Sequence, residues 1–110
     1  MLTLLNTSIL TNYGSYQYEP LEDAESARAV VRNCEDGIQS AIGHQSTADI
    51  LSTLLEISVQ VNRIEFRQPV GYEGRALIFK LKGRPPEGVI LTAEELQAIG
   101  YEFGLLTRTA

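Results

Sequence analysis

One histidine and a small set of cations are the side chains of this chain that could act on a substrate. His44 is the only histidine, and it follows an apolar run that stops at Gly43. Imidazole is the one side chain that takes up and releases a proton near neutral pH without help from its surroundings. At the expected junction of a strand and a helix, His44 is a candidate proton donor; a solvated loop histidine is the alternative.

The residues after His44 predict a helix that begins beside the imidazole. Ser46 or Thr47 is expected to cap this helix. Apolar residues then recur at helical spacing: Ile50, Leu51, Leu54 and Leu55. A helix N-terminus attracts anions because its first N–H groups lack acceptors and its dipole is positive there. The sequence therefore predicts that the backbone at Gln45, Ser46 and Thr47 holds a phosphate, and that these residues and Gly43 bind the substrate.

The overall charge narrows the class of ligand. The chain has 9 Lys and Arg against 14 Asp and Glu, a net charge of -5. Binding to polymeric nucleic acid depends largely on basic side chains that displace counterions, so this balance argues against such a partner. The basic residues are nevertheless concentrated between residues 63 and 84: Arg63, Arg67, Arg75, Lys80, Lys82 and Arg84. A few of them converging on one pocket could still bind a small anion.

Composition also indicates in which cellular compartment the protein works and which cofactors it could hold. The single Cys34 cannot form a disulfide within the chain, and one Cys with one His cannot complete a zinc site. No apolar stretch approaches the roughly 20 residues that span a bilayer, and the N-terminus lacks the features of a signal peptide. We expect a cytoplasmic protein with no metal, no other cofactor and no membrane partner.

Hydrophobic periodicity predicts an α+β fold in one small domain covering residues 1–110. Strands are expected at residues 2–10, 38–42, 59–67, 76–81 and 101–107, with a short exposed strand or an extended loop at 16–18. Helices are expected at about 22–33, after Ser46 or Thr47, and from a Thr92 and Glu95 capping box to Gly100. This indicates a mixed sheet of about five strands with about three helices on one face. A homodimer is expected because so small a domain leaves apolar surface to cover.

Two further groups of polar residues interrupt apolar elements. Asn6, Thr7 and Ser8 break the first strand, where they either serve a site or make buried hydrogen bonds. Arg63 alternates within the predicted strand 59–67, so it lies on a strand face, where it binds a ligand or pairs with Glu65.

Four segments together resemble a known family. They are Leu5-Asn6-Thr7-Ser8, Ser40-Ala41-Ile42-Gly43-His44-Gln45-Ser46-Thr47, Val61-Asn62-Arg63-Ile64, and Arg84 with Glu87-Gly88 before a helix. In this order they resemble the small ring nucleases best known from viral type III anti-CRISPR proteins. The resemblance covers nearly the whole chain, and the string Ala-Ile-Gly-His-x-Ser-Thr is its most specific part.

The resemblance implies a function. It implies a homodimer that binds cyclic tetra-adenylate, the second messenger of type III CRISPR defence, in a cleft on its two-fold axis. The ring would be cut without metal into linear di-adenylates ending in a 2′,3′-cyclic phosphate, which would switch off the signal.

The resemblance also implies roles for individual residues. His44 would be the general acid, Arg84 would stabilise charge on the reacting phosphate, and Glu87 would orient Arg84 or a ribose hydroxyl. Arg63 would hold a phosphate, and Asn6, Thr7 and Ser8 would contact riboses or phosphates.

Three alternatives stay open. Arg84 and Glu87 could form a surface ion pair, worth at most about 1 kcal/mol. The protein could be a non-catalytic dimer that binds cyclic oligoadenylate or nucleic acid as a sensor or sponge. It could also be an accessory protein that binds another protein through its exposed sheet.

Overall fold

The fold is a five-stranded mixed sheet with three helices, seen in a computed structural model. The structure describes residues 1–6, 14–35, 37–64, 66–83 and 92–110. In chain order the elements are β1 (Leu2–Leu5), β2 (Tyr16–Leu21), α1 (Ala24–Arg32), β3 (Ile38–Ser40), α2 (Gln45–Leu55), a short 3-10 turn (Tyr72–Gly74), β4 (Ala76–Leu81), α3 (Ala93–Ile99) and β5 (Tyr101–Arg108). The predicted α+β class is confirmed.

The strand order is β2-β5-β4-β1-β3. The three strands at one side, β3, β1 and β4, are parallel, with Leu4 paired to Ser40 on one side and to Leu77 on the other. The remaining pairs, β4 with β5 and β5 with β2, are antiparallel. The carboxyl ends of parallel strands lie at the same edge of a sheet, so the chain leaves β1, β3 and β4 on one side of the molecule.

The main core lies between the sheet and the helices. Alternate residues of the strands face it, including Leu4, Leu77, Phe79 and Phe103, and they pack against α1, α2 and α3. The rings of Phe79 and Phe103 lie 5.2 Å apart, a tilted arrangement typical of packed aromatic pairs. A smaller cluster covers part of the opposite face, where Tyr16, Tyr18 and Phe66 pack on Ala76, Ile78 and Leu106. The helices therefore occupy one face of the sheet, as expected.

The last helix shows how local sequence sets an element. The Thr92 side chain accepts the Glu95 N–H, and the Glu95 side chain accepts the Thr92 N–H, so the predicted capping box is confirmed. Gly100 ends α3 with a φ of 92°, a left-handed value that glycine adopts without strain. β5 then begins at the next residue.

One predicted strand is wrong. Residues 59–64 and 66–67 form no strand, despite their strict alternation. Asn62 N–H donates to Ile42 O, but the neighbouring contacts run through side chains: Ser40 Oγ donates to Gln60 O, and Asn62 Nδ2 to Ser40 O. Such bonds compete with a backbone ladder and replace it. Arg63 thus lies on an irregular segment rather than on a strand face, and Glu65 lies outside the described residues.

The described helices are short: none of them is long and apolar enough to cross a membrane.

Candidate functional site

His44 occupies the junction that the sequence predicted. β3 ends at Ser40 and α2 begins at Gln45, so His44 is the residue immediately before the helix, with extended backbone angles (φ -130°, ψ 136°). Its side chain is exposed and does not cap the helix. Within the described chain, the imidazole is therefore directed to solvent at a helix N-terminus.

The predicted cap of α2 is wrong. Ser46 and Thr47 lie inside the first turn, and His44 takes the capping position, its carbonyl accepting the Ala48 N–H at 3.1 Å. The prediction is wrong because α2 begins at Gln45, two residues earlier than a cap at Ser46 would place its start. Without a side-chain cap, the first N–H groups of α2 remain available to an external acceptor.

The first turn of α2 is suited to an anion. It contains no acidic residue, so a phosphate there would meet no carboxylate within the turn. Asp49, one turn further on, accepts a hydrogen bond from the Gln45 amide at 2.8 Å. The partial positive charge of the helix terminus is thus left without a counter-charge from the first turn itself.

Arg63 lies against the residue before His44. Its Nε donates to the carbonyl oxygen of Gly43 at 2.8 Å, and the side chain is otherwise exposed. The guanidinium has five N–H donors, and this bond uses one of them. Arg63 is therefore placed beside His44 and the α2 N-terminus with donors remaining for a second acceptor.

Asn6 lies where the chain leaves the sheet after β1, at the same edge as the end of β3. The Ala41 N–H donates to Leu4 O at 3.0 Å, which keeps the end of β3 alongside the end of β1. Asn6 follows β1 there and is half-buried. β4 ends at Leu81 on the other side of β1. The predicted residues Thr7, Ser8, Arg84 and Glu87 lie outside the described residues.

The connection after α2 contains residues that the sequence analysis did not assign to the site. Asn62 bonds the carbonyls of Ser40 and Ile42, and Ser40 Oγ bonds Gln60 O at 2.6 Å. The only sequence signal for Asn62 was its position beside Arg63 in the motif Val61-Asn62-Arg63-Ile64.

In the part of the chain that the structure describes, no three His, Cys, Asp or Glu side chains form a group that could hold a metal ion, so we assign no ligand set.

Comparison with known proteins places the chain in a family. The model of the STIV B116-like family matches residues 2–103. The chain belongs to the STIV B116-like family. An uncharacterised protein of Bacillus subtilis, YddF, is 36% identical over 107 residues, covering 97% of this chain and 96% of its own. An uncharacterised protein of Acidianus two-tailed virus is 37% identical over 112 residues, covering 98% and 93%.

A solved structure of the STIV B116-like family has the same fold. B116 of Sulfolobus turreted icosahedral virus superimposes with a TM-score of 0.81 at 25% identity, over 97% of this chain and 98% of that one. The family thus includes proteins of archaeal viruses and of a bacterium.

Proposed function

We propose that the protein is a metal-independent ring nuclease that binds cyclic tetra-adenylate in the cleft of a homodimer. The observation that carries the proposal is the shared edge of the parallel strands β3 and β1, where His44 follows β3, Asn6 follows β1 and Arg63 is bonded to the carbonyl of Gly43. Ligands of open sheets with parallel strands bind beyond the carboxyl ends of those strands. Arg84 and Glu87 follow β4 in sequence and lie outside the described residues.

The chemistry requires little of the protein. The ribose 2′-hydroxyl attacks the phosphorus of its own 3′-phosphodiester, forms the 2′,3′-cyclic phosphate and expels the 5′-oxygen of the next nucleotide. Because the substrate supplies the nucleophile, the protein has to align it in line, stabilise the added negative charge and protonate the leaving oxygen. The proton of the attacking hydroxyl passes to solvent.

The proposed roles of the individual residues are supported by where each residue lies or by the chemistry of its side chain. The exposed imidazole of His44 donates the proton to the departing oxygen. First-turn amides at Gln45, Ser46 and Thr47 and the free guanidinium N–H groups of Arg63 hold the phosphate, and Gly43 lets the ring approach the backbone. Arg84 stabilises the pentavalent phosphorus, and Glu87 orients Arg84 or a ribose hydroxyl. Asn6, Thr7 and Ser8 contact the riboses or the phosphates.

The dimer follows from the symmetry of the substrate. A four-fold ring matches a two-fold axis when each subunit acts on one of two opposite phosphodiesters. Two cuts then release two linear di-adenylates. Loss of the ring would end signalling by the messenger, which is the biological role we propose.

One observation favours a second candidate, a dimer that binds the ring without cutting it. The His44 side chain makes no hydrogen bond to the residues that the structure describes. Catalytic histidines are commonly oriented by a partner that also fixes the tautomer, and a binding protein needs none.

One assay separates the candidates. Purified protein is incubated with cyclic tetra-adenylate and EDTA, and the nucleotides are separated by chromatography after native and denaturing work-up. Linear di-adenylate with a cyclic phosphate end supports the nuclease. Intact ring that co-elutes with the protein supports the binding dimer, and intact ring that elutes alone contradicts both. Light scattering during size exclusion measures the oligomeric state.

A further inference from the structure

A short stretch of the connection between α2 and the 3-10 turn, residues 59–63, is hydrogen-bonded to other parts of the chain at both of its ends. We call this stretch the strap. At its start, the Val59 N–H donates to Ser52 Oγ at 2.9 Å. Ser52 Oγ in turn donates to Ala48 O at 2.8 Å, within α2. The strap therefore begins at a fixed point on the helix that follows His44.

At its other end, the strap bonds the turn that leads to His44. Asn62 Nδ2 donates to Ser40 O, and the Asn62 N–H to Ile42 O, both at 2.8 Å. Arg63 Nε donates to Gly43 O at the same distance. Three carbonyls in the four residues before His44 thus have their partners on two residues of the strap.

These bonds hold the middle of the turn. Residues 41–44 belong to no helix or strand; the Ala41 N–H is bonded to Leu4 O and the His44 carbonyl to the Ala48 N–H, and between these two bonds the strap holds the backbone. Ser40 Oγ adds one local restraint by accepting the Ile42 N–H at 3.2 Å. A reacting group has to be held within about 0.5 Å of its working position, and a displacement of about 1 Å can cost a hundredfold in rate.

We propose that Asn62 is a positioning residue that fixes His44 through the carbonyl of Ser40. Its backbone N–H bond to Ile42 would remain in any variant but proline, so the side-chain amide is the part that substitution can test. This inference rests on the proposed function for its kinetic consequence. Its structural consequence, the placement of the imidazole, does not depend on any substrate.

The kinetic test compares two substitutions with a neighbour. Asn62→Ala removes the amide, and Asn62→Asp keeps its shape but cannot donate to Ser40 O. Asn62 is exposed, so neither change opens a cavity. Both variants should lower kcat for ring cleavage about tenfold or more, with KM changed less than twofold. Gln60→Ala is the matched control: among the described residues its exposed side chain bonds only Ser58 Oγ, and its carbonyl is retained.

The structural test uses the fact that His44 is the only histidine. Its imidazole C2–H proton gives one identifiable NMR signal without assignment of the rest of the protein. Asn62→Ala should shift this signal beyond the spread of replicate wild-type spectra or split it, and Gln60→Ala should leave it in place. Circular dichroism at the same temperature confirms that each variant is folded.

The outcomes distinguish this inference from the proposed function. If the wild type does not cut the ring, the nuclease proposal fails, and the NMR comparison alone decides whether Asn62 holds His44. If the wild type is active, an unchanged kcat in Asn62→Ala overturns the inference. An effect of Asn62→Asp without one of Asn62→Ala overturns it too, because the new charge would then be the cause. An unchanged imidazole signal in Asn62→Ala overturns it in every case.

Discussion

Arg63 donates its Nε hydrogen to the carbonyl oxygen of Gly43 at 2.8 Å, and this bond joins residues that are distant in sequence at the N-terminus of α2. The sequence suggested a strand arginine that either held a phosphate or paired with Glu65. The structure instead shows an arginine bonded to the backbone beside the candidate acid, with other donors exposed. A phosphate contact and this backbone contact are compatible because they use different N–H groups.

The first prediction concerns the proposed acid. His44→Ala should lower the single-turnover rate of ring cleavage about a hundredfold or more, the usual scale for loss of a positioned general acid, and leave ring affinity nearly unchanged. Quenched-flow or manual time courses with enzyme in excess measure the rate, and filter binding measures the affinity. A near-normal rate would remove His44 from the mechanism.

The second prediction separates charge from geometry at Arg63. Arg63→Ala should weaken ring binding or the chemical step by a few kcal/mol, since it removes a charge and a bidentate donor. Arg63→Lys should recover only part of this loss, because an ammonium lacks the planar fork. Arg32→Ala is the control: Arg32 is exposed on α1 and pairs with Glu25. Equal losses in Arg63→Ala and Arg32→Ala would mean that the effect is general electrostatics.

The third prediction concerns the dimer. Wild-type chains mixed with a large excess of His44→Ala should form heterodimers with one acid each, which cut one side of the ring. Linear tetra-adenylate should then accumulate before di-adenylate in a chromatographic time course. Direct release of di-adenylate from heterodimers would show that one His44 serves both cuts.

The fourth prediction concerns packing on the helix-free face of the sheet. A Cβ at Gly104 would overlap the Cζ and hydroxyl oxygen of Tyr18, so Gly104→Ala should lower the unfolding free energy by about 1–3 kcal/mol. At Gly43 the nearest atom to an added Cβ is Arg63 Cγ at 3.7 Å, an ordinary contact. Gly43→Ala should therefore stay within about 0.5 kcal/mol of wild type in urea titrations. Equal losses at both glycines would contradict the packing argument.

The fifth prediction concerns acid stability. Asp23 caps α1, and hydrogen bonds from the N–H and Oγ of Ser26, each at 2.9 Å, hold its pKa below the ordinary 3.8. The stabilisation is present well above pH 3.8 and is lost as the pH falls below that value. Asp23→Asn, which caps without titrating, should flatten this part of the stability curve, and Asp23→Ala should lower the melting temperature at neutral pH. An unchanged acid slope in Asp23→Asn would refute the assignment.

Features that depend on neighbouring residues were predictable. The Thr92 and Glu95 capping box and the start of β5 after Gly100 follow from contacts four or fewer residues apart. The strand predicted at residues 59–67 is wrong because alternation shows only which side chains would share a face of a strand. It does not show whether a neighbouring strand is available for backbone pairing. There the carbonyl of Gln60 is taken by Ser40 Oγ and that of Ser40 by the Asn62 amide.

The composition of the candidate site was only partly predictable. His44 and its helix could be recognised because they are adjacent in sequence. That Asn6 and His44 leave the same edge depends on the pairing of Leu4 with Ser40, and the bond from Arg63 to Gly43 depends on how a turn folds back after α2. Such long-range placements are decided by packing of the whole domain, which one sequence does not specify.

The strap also affects what can assemble along β3, the last strand of the sheet at this side. The outer side of such a strand has backbone N–H and C=O groups without partners, and strands of other chains can pair with them and aggregate. Because the Ala41 N–H bonds β1, the carbonyls of Ser40 and Ile42 point the other way, towards the open edge, and Asn62 occupies both. A foreign strand could pair alongside these residues only by displacing Asn62. The contacts around His44 thus also leave less of the β3 edge open to edge-to-edge pairing.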